Sequence, residues 1–125
     1  MIKISREQIL KLHDKGIERY GGIKGIRDEN LFESCCVAPY QTMFGQDLYP
    51  DIYDKAIRYL VGFATNQVFF DGNKRTAVAS MMLLLRLNGI SPKFTNDELS
   101  QICLDLSNGL ITVEIIKKRL IEVSK

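Results

Sequence analysis

The sequence has no tryptophan, one histidine, three prolines and three cysteines among its 125 residues. Each scarcity removes a class of protein. A lone His13 excludes any metal site built on two histidines. Cys35 and Cys36 are adjacent and Cys103 stands far from both, so no C-x-x-C pair is present. That pattern is neither a zinc motif nor a disulfide framework, and reduced thiols in a cytoplasmic protein are expected. The longest apolar run, Ala77 to Leu85, is broken by Ser80 and is far shorter than the roughly 20 residues a membrane helix needs. No basic segment followed by an apolar stretch opens the chain, so neither a leader nor a membrane partner is expected. Charge of one sign is also missing. There are 17 Lys and Arg against 15 Asp and Glu, a net charge of +2. Residues 1–65 carry nine of each sign, and the small excess lies in residues 66–125. A polybasic arm and an acidic tail are thereby excluded, and no direct nucleic-acid partner is expected.

What is present is helical periodicity. At this length one domain over residues 1–125 is expected. Ser5 with Gln8 three residues on forms a capping-box pattern, and Ile9, Leu12, Ile17 and Tyr20 recur at helical spacing until Gly21-Gly22. Asp28 is placed to cap a second helix carrying Leu31, Phe32 and Cys35. Residues 38–51 read as a loop, with Pro39, Gly45 and Pro50 as breakers and Tyr40, Phe44 and Tyr49 interleaved. The aromatics there either dock a protein partner or cover the core. A third helix is predicted over 52–68, with Ile57, Leu60, Val61 and Ala64 inward. A fourth, over 73–88, is apolar all round and should be the central buried helix. A fifth starts at Thr95 or Asn96 and ends near Asn108-Gly109; a sixth starts at Thr112. Nothing reads as a sheet, and the fold class is a compact all-α bundle of about six helices.

The informative stretch is Phe69-Phe70-Asp71-Gly72-Asn73-Lys74-Arg75-Thr76, where a turn opens the fourth helix. Lys74 and Arg75 then stand in the first helical turn, where the helix dipole favours anions by roughly 0.3–1 kcal/mol each. Two cations in that place break a local rule, and an external anion would resolve the conflict. Free backbone N–H groups, the Lys74 and Arg75 side chains and the Asn73 amide converge on a phosphate in this reading, with Gly72 allowing close approach. Asp71 beside them is placed to hold a metal or to orient an attacking hydroxyl. The plainer alternative is a pair of solvated charges beside an ordinary turn.

The stretch resembles the signature of the Fic/Doc superfamily, which in the Doc branch reads H-x-F-x-D-x-N-K-R. Here the same positions are Gln67, Phe69, Asp71, Asn73, Lys74 and Arg75. Leu12-His13-Asp14, Arg19-Tyr20-Gly21-Gly22, Gly25-Ile26-Arg27-Asp28 and Asp47-Leu48-Tyr49-Pro50 are also similar to Doc-type (death-on-curing) toxins. Lys74 favours that branch over AMP-transferring Fic enzymes, which carry a second glycine there. The resemblance implies an all-α bundle with the signature at the start of a central helix. It implies transfer of phosphate from ATP to a hydroxyl of translation elongation factor Tu, which blocks translation. It also implies a Phd-type antitoxin whose C-terminal segment folds over the active-site region. By position, Asn73, Lys74 and Arg75 match phosphate ligands and Gly72 a small residue of the anion cradle. Asp71 matches the acid that positions the hydroxyl or a Mg2+ ion, and Phe69 matches an apolar anchor.

Gln67 departs from the pattern, because it stands where the family has its general-base histidine. An amide is not a useful base near neutral pH, and loss of positioned acid–base catalysis costs about 10²–10⁴-fold in rate. A weakened or silent toxin is therefore expected, through either a selected or engineered change or natural degeneration. The alternatives are a Fic-type AMP transferase and a catalytically dead module that binds nucleotide or antitoxin. Elsewhere, His13 is expected to pack or make a local hydrogen bond, Cys35, Cys36, Cys103, Met81 and Met82 to lie in the core, and Lys117-Lys118-Arg119 to form a solvated face.

Overall fold

The computed structural model describes residues 1–124. Six α-helices account for most of them: α1 (Arg6–Tyr20), α2 (Glu29–Val37), α3 (Ile52–Thr65), α4 (Asn73–Leu87), α5 (Asn96–Ser107) and α6 (Val113–Val123). The all-α expectation holds. Five of the six begin on a side-chain cap: Ser5, Asp28, Asp51, Thr95 and Thr112 each accept a backbone N–H from the first turn. Such caps contribute about 1 kcal/mol each. Ser5 with Gln8 and Thr95 with Glu98 close full capping boxes. The helix α4 is the exception, since it starts on Gly72 with no side-chain cap.

The core is one cluster in which the rings of Phe32, Tyr59, Phe63 and Phe69 pack together, fully buried. Helix α3 touches α2, α4, α5 and α6, whereas α4 packs on α1, α3 and α5. The expectation of a fourth helix buried on every side is thus too strong. Ala77, Ser80, Met81, Leu84 and Leu85 are buried, but Val78, Ala79 and Leu83 are half-buried and Arg86 is exposed. Cys35, Cys36, Cys103, Met81 and Met82 lie in the core as expected.

Two segments differ from the sequence reading. The third helix stops at Thr65, not 68. The Thr65 hydroxyl donates to the Val61 carbonyl (2.6 Å) and the Asn66 amide to that of Gly62 (2.9 Å), closing the last turn with side chains. The chain then runs extended, and Phe69 forms an antiparallel bridge with Ile26. Residues 38–51 are also more ordered than a loop. A 3₁₀ turn covers Ala38–Tyr40, and Thr42–Met43 (β1) pairs antiparallel with Gln46–Asp47 (β2). The two-residue turn Phe44-Gly45 has φ of 52° and 78°, the positive values such hairpins use. Glycine adopts them freely; Phe44 does so with its ring almost wholly in solvent. The aromatics of this segment divide: Tyr40 meets Tyr59 over the core, while Phe44 projects outward. The buried Lys55 ammonium holds the hairpin by bonding the Asp47 carboxylate (3.2 Å) and the Tyr49 carbonyl.

Candidate functional site

The segment from Gln67 to Gly72 crosses from the end of α3 to the start of α4 and is held from three sides. From the loop after α1, the Arg27 and Asp28 N–H groups donate to the Val68 carbonyl (2.8 and 3.1 Å), and Arg27 Nε donates to the Gln67 carbonyl (2.6 Å). From the core, Phe63 and Phe32 receive the Phe69 ring. From α1, the buried His13 imidazole stacks on Phe69 at 3.8 Å and 11° and meets the Asp71 carbonyl at 2.8 Å. His13 therefore both packs and makes a hydrogen bond, but to the signature segment itself.

Asn73 turns inward. Its Oδ1 accepts the Phe69 N–H, and its Nδ2 donates to the Phe69 carbonyl and to Gln67 Oε1, all at 2.9 Å. The amide expected at a phosphate thus braces the loop that precedes the helix. Arg75 also looks elsewhere: it donates to the Gly21 carbonyl (3.1 Å) and lies 5.3 Å from the Tyr20 ring centre. Asp71 is half committed. One carboxylate oxygen accepts the Ile23 N–H at 2.6 Å. Its Cβ lies so close to Gly22 that a side chain there would come within 3.0 Å, in a backbone with φ of 121°.

Lys74 is different. It is exposed and makes no ion pair among the described residues. The Gly72, Asn73, Lys74 and Arg75 N–H groups have no backbone or side-chain acceptor there either; the first helical bond of α4 is Thr76 N–H to the Gly72 carbonyl at 3.0 Å. Gly72, with φ of 77° and ψ of 17°, turns the chain left-handed into the helix and keeps these donors uncovered. Gln67, Asn73 and Lys74 share a cleft of about 320 Å³ with Thr65, Asn66 and Ser107. No sequence pattern pointed to those last three residues, which reach the cleft because α3 ends early and α5 ends beside it. A larger groove of about 600 Å³ adjoins between α1, α4 and α5. It has Leu12, Val78, Met82 and Phe94 among its apolar lining, and its charged residues are Lys15, Arg19, Lys74, Arg75 and Arg86, all cationic.

For a metal, the residues offer little beyond Asp71. No group of three or more His, Cys, Asp or Glu is gathered among the described residues. Mg2+ is commonly bound through one or two carboxylates together with substrate phosphates, so the single remaining Asp71 oxygen fits a cation shared with a nucleotide and no other kind.

The family model described as the Fic/DOC family matches residues 3–85, from before α1 to near the end of α4. The chain belongs to the Fic/DOC family. It is homologous to Doc toxins. One relative, the protein kinase doc of Escherichia phage P1, is 34% identical over 116 residues, which is 93% of this chain and 90% of that protein. Another, the toxin Doc of Mycolicibacterium smegmatis, is 37% identical over 87 residues, 70% of this chain and 65% of that protein. The matched family region contains every signature residue from Gln67 to Arg75, together with His13 and Arg27, which hold the signature segment from outside. Helices α5 and α6 lie beyond it.

Proposed function

We propose that the chain is the toxin of a Phd/Doc-type toxin–antitoxin pair, acting in the cytoplasm. It would transfer the γ-phosphate of ATP to a hydroxyl of a protein target, with elongation factor Tu the foremost candidate, and so block translation. The observation that carries this reading is the uncapped start of α4. Among the described residues, four consecutive N–H groups at this turn have no acceptor and Lys74 has no ion pair, and Asn73 and Lys74 line the cleft. Helix N-termini of this kind bind phosphate, and phosphoryl transfer asks a protein chiefly for positioning and charge neutralisation. When bound, Mg2+ would supply further neutralisation between Asp71 and the nucleotide. Arg75 would contribute by exchanging the Gly21 carbonyl for a phosphate oxygen.

Gln67 sits where a target hydroxyl would have to lose its proton. Its carbonyl oxygen is already engaged by Asn73 at 2.9 Å, which leaves its NH₂ group as a donor and no base on that side chain. In this reading the chain binds nucleotide but turns it over slowly. The antitoxin would lie along the groove between α1, α4 and α5, whose cationic rim and apolar floor suit an acidic amphipathic segment and which shares Lys74 with the cleft.

The test is a transfer assay with elongation factor Tu, using the chain and its Gln67→His version with ATP labelled at the α or the γ phosphate. Label from the γ position, strong only with histidine, is expected. Label from the α position would establish AMP transfer instead. Bound nucleotide without transfer in either form would leave a binding module or another target.

A further inference from the structure

We propose that His13 is a positioning residue for the phosphate-binding turn, through a bond that keeps the start of α4 open; the phosphate part of this inference rests on the function proposed above. The Asp71 carbonyl is the acceptor that the Arg75 N–H would take if α4 extended back by one residue. In the structure it is taken instead by His13 Nε2, at 2.8 Å. A carbonyl only accepts, so Nε2 carries the proton and donates. The Asp71–Gly72 peptide is trans, and in a trans peptide the C=O and N–H point to opposite sides. With its oxygen turned to α1, the Gly72 N–H faces away from α1 and joins the uncovered donors of α4. One bond thus leaves two N–H groups, those of Gly72 and Arg75, available to an anion.

The imidazole is itself fixed. It is 2% exposed and lies flat against Phe69, and a side chain added at Gly72 would come within 3.5 Å of its Cδ2. Its other nitrogen, Nδ1, is 3.6 Å from Asp14 Oδ1. Phe69, Asp71 and Gly72 are therefore all set by one side chain from α1. His13 itself lines neither the cleft nor the groove, so in this proposal it acts through the turn.

Because the chain has a single histidine, its imidazole signals in NMR are unambiguous. The first measurement is the ¹⁵N spectrum of that ring in neutral buffer, where a protonated Nε2 is expected; an Nδ1–H tautomer overturns the proposal. The second compares His13→Phe, which keeps the stacking and loses the donor, with His13→Gln, which keeps a donor at a similar reach. In His13→Phe the amide signals of Gly72 to Arg75 should shift while those of α5 and α6 stay, and ATP–Mg2+ affinity should fall about tenfold. His13→Gln should recover most of that affinity at a similar melting temperature. Unchanged Gly72–Arg75 amides in His13→Phe, or a His13→Gln protein no better than His13→Phe, would overturn the proposal. If the parent chain binds no ATP but the amides shift as stated, the positioning role stands and the phosphate reading falls. Should His13→Phe fail to fold, the ring tautomer and the ATP–Mg2+ affinity of His13→Gln against the parent still decide: a tautomer other than Nε2–H, or a His13→Gln affinity about tenfold below the parent, would overturn the proposal.

Discussion

Asn73 holds Gln67: the Asn73 Nδ2 donates to Gln67 Oε1 at 2.9 Å while its Oδ1 accepts the Phe69 N–H at the same distance. One amide thus fixes both the loop backbone and the side chain at the position that the resemblance assigns to a general base. Asn73→Ala removes three hydrogen bonds and leaves the buried Phe69 peptide group without them. A loss of about 2 kcal/mol is expected, since an unsatisfied buried group costs about 1–3 kcal/mol. Urea unfolding measures it. Asn73→Asp should be intermediate, because it keeps the acceptor for the Phe69 N–H and loses both donations.

Lys74→Ala should separate binding from folding. Lys74 is exposed and makes no ion pair among the described residues, so stability should change by no more than about 0.5 kcal/mol. A charge-assisted bond to phosphate is worth roughly 1.5–3 kcal/mol, so ATP affinity should fall at least tenfold. Calorimetric titration at two salt concentrations checks both magnitude and origin. The Arg75→Ala effect should be smaller in binding and larger in stability, since Arg75 already bonds the Gly21 carbonyl and covers Tyr20.

The parts of this fold that local chemistry writes were legible in the sequence. Ser5, Asp28, Thr95 and Thr112 announce their helices because an N-cap is a contact between neighbours in the chain. The two cations of α4 stood out for the same reason, as neighbours placed against a dipole. What was not legible depends on residues far apart. The direction of the Asn73 amide is set by Phe69 and Gln67 across a turn, and that of Arg75 by Gly21, 54 positions away. The early end of α3 rests on Thr65 and Asn66 bonding backward, which competes with propensity and leaves no trace in periodicity. His13 looked like a packed histidine, and it is one; its bond to Asp71, 58 residues on, belongs to the tertiary fold alone. Lys117 read as part of a solvated face, but it pairs with Asp51 and Asp54 of the α3 N-terminus.

The three thiols should be inert in the native protein. Burial pushes Cys36 up to about 12 and Cys103 up to about 11, and it raises Cys35 as well. Only the thiolate attacks an alkylating reagent, so the reactive fraction of Cys36 at pH 8 is roughly one in ten thousand. Iodoacetamide followed by mass spectrometry should find no adduct on the folded chain and three after denaturation. An adduct on the native protein at Cys35 would show that the packing of α2 against Gly62 opens on that timescale.

The Lys117 pair gives a pH dependence whose sign can be worked out. Asp51 caps α3 through one carboxylate oxygen and accepts from Lys117 Nζ at 2.7 Å through the other; Asp54 accepts at 3.0 Å. Partial burial pushes Asp51 up, but the Lys117 bond and the Asp54 N–H outweigh it, and its pKa lies below the ordinary 3.8. The two carboxylates hold Lys117 above its ordinary 10.5. A depressed acid contributes stability that is complete above its unfolded value and is lost as pH falls through the folded one. A raised base contributes stability that is complete below its unfolded value and is lost as pH rises through the folded one. The gap in unfolding free energy between the parent and Lys117→Met should therefore be flat between about pH 5 and pH 9 and narrow on both sides. These groups are partly exposed, so solvent screening limits the plateau to at most about 1 kcal/mol. Urea midpoints at pH 3, 7 and 10.8 suffice. A gap as large at pH 3 as at pH 7 would mean that the apolar stem of Lys117 stabilises the protein and its charge does not.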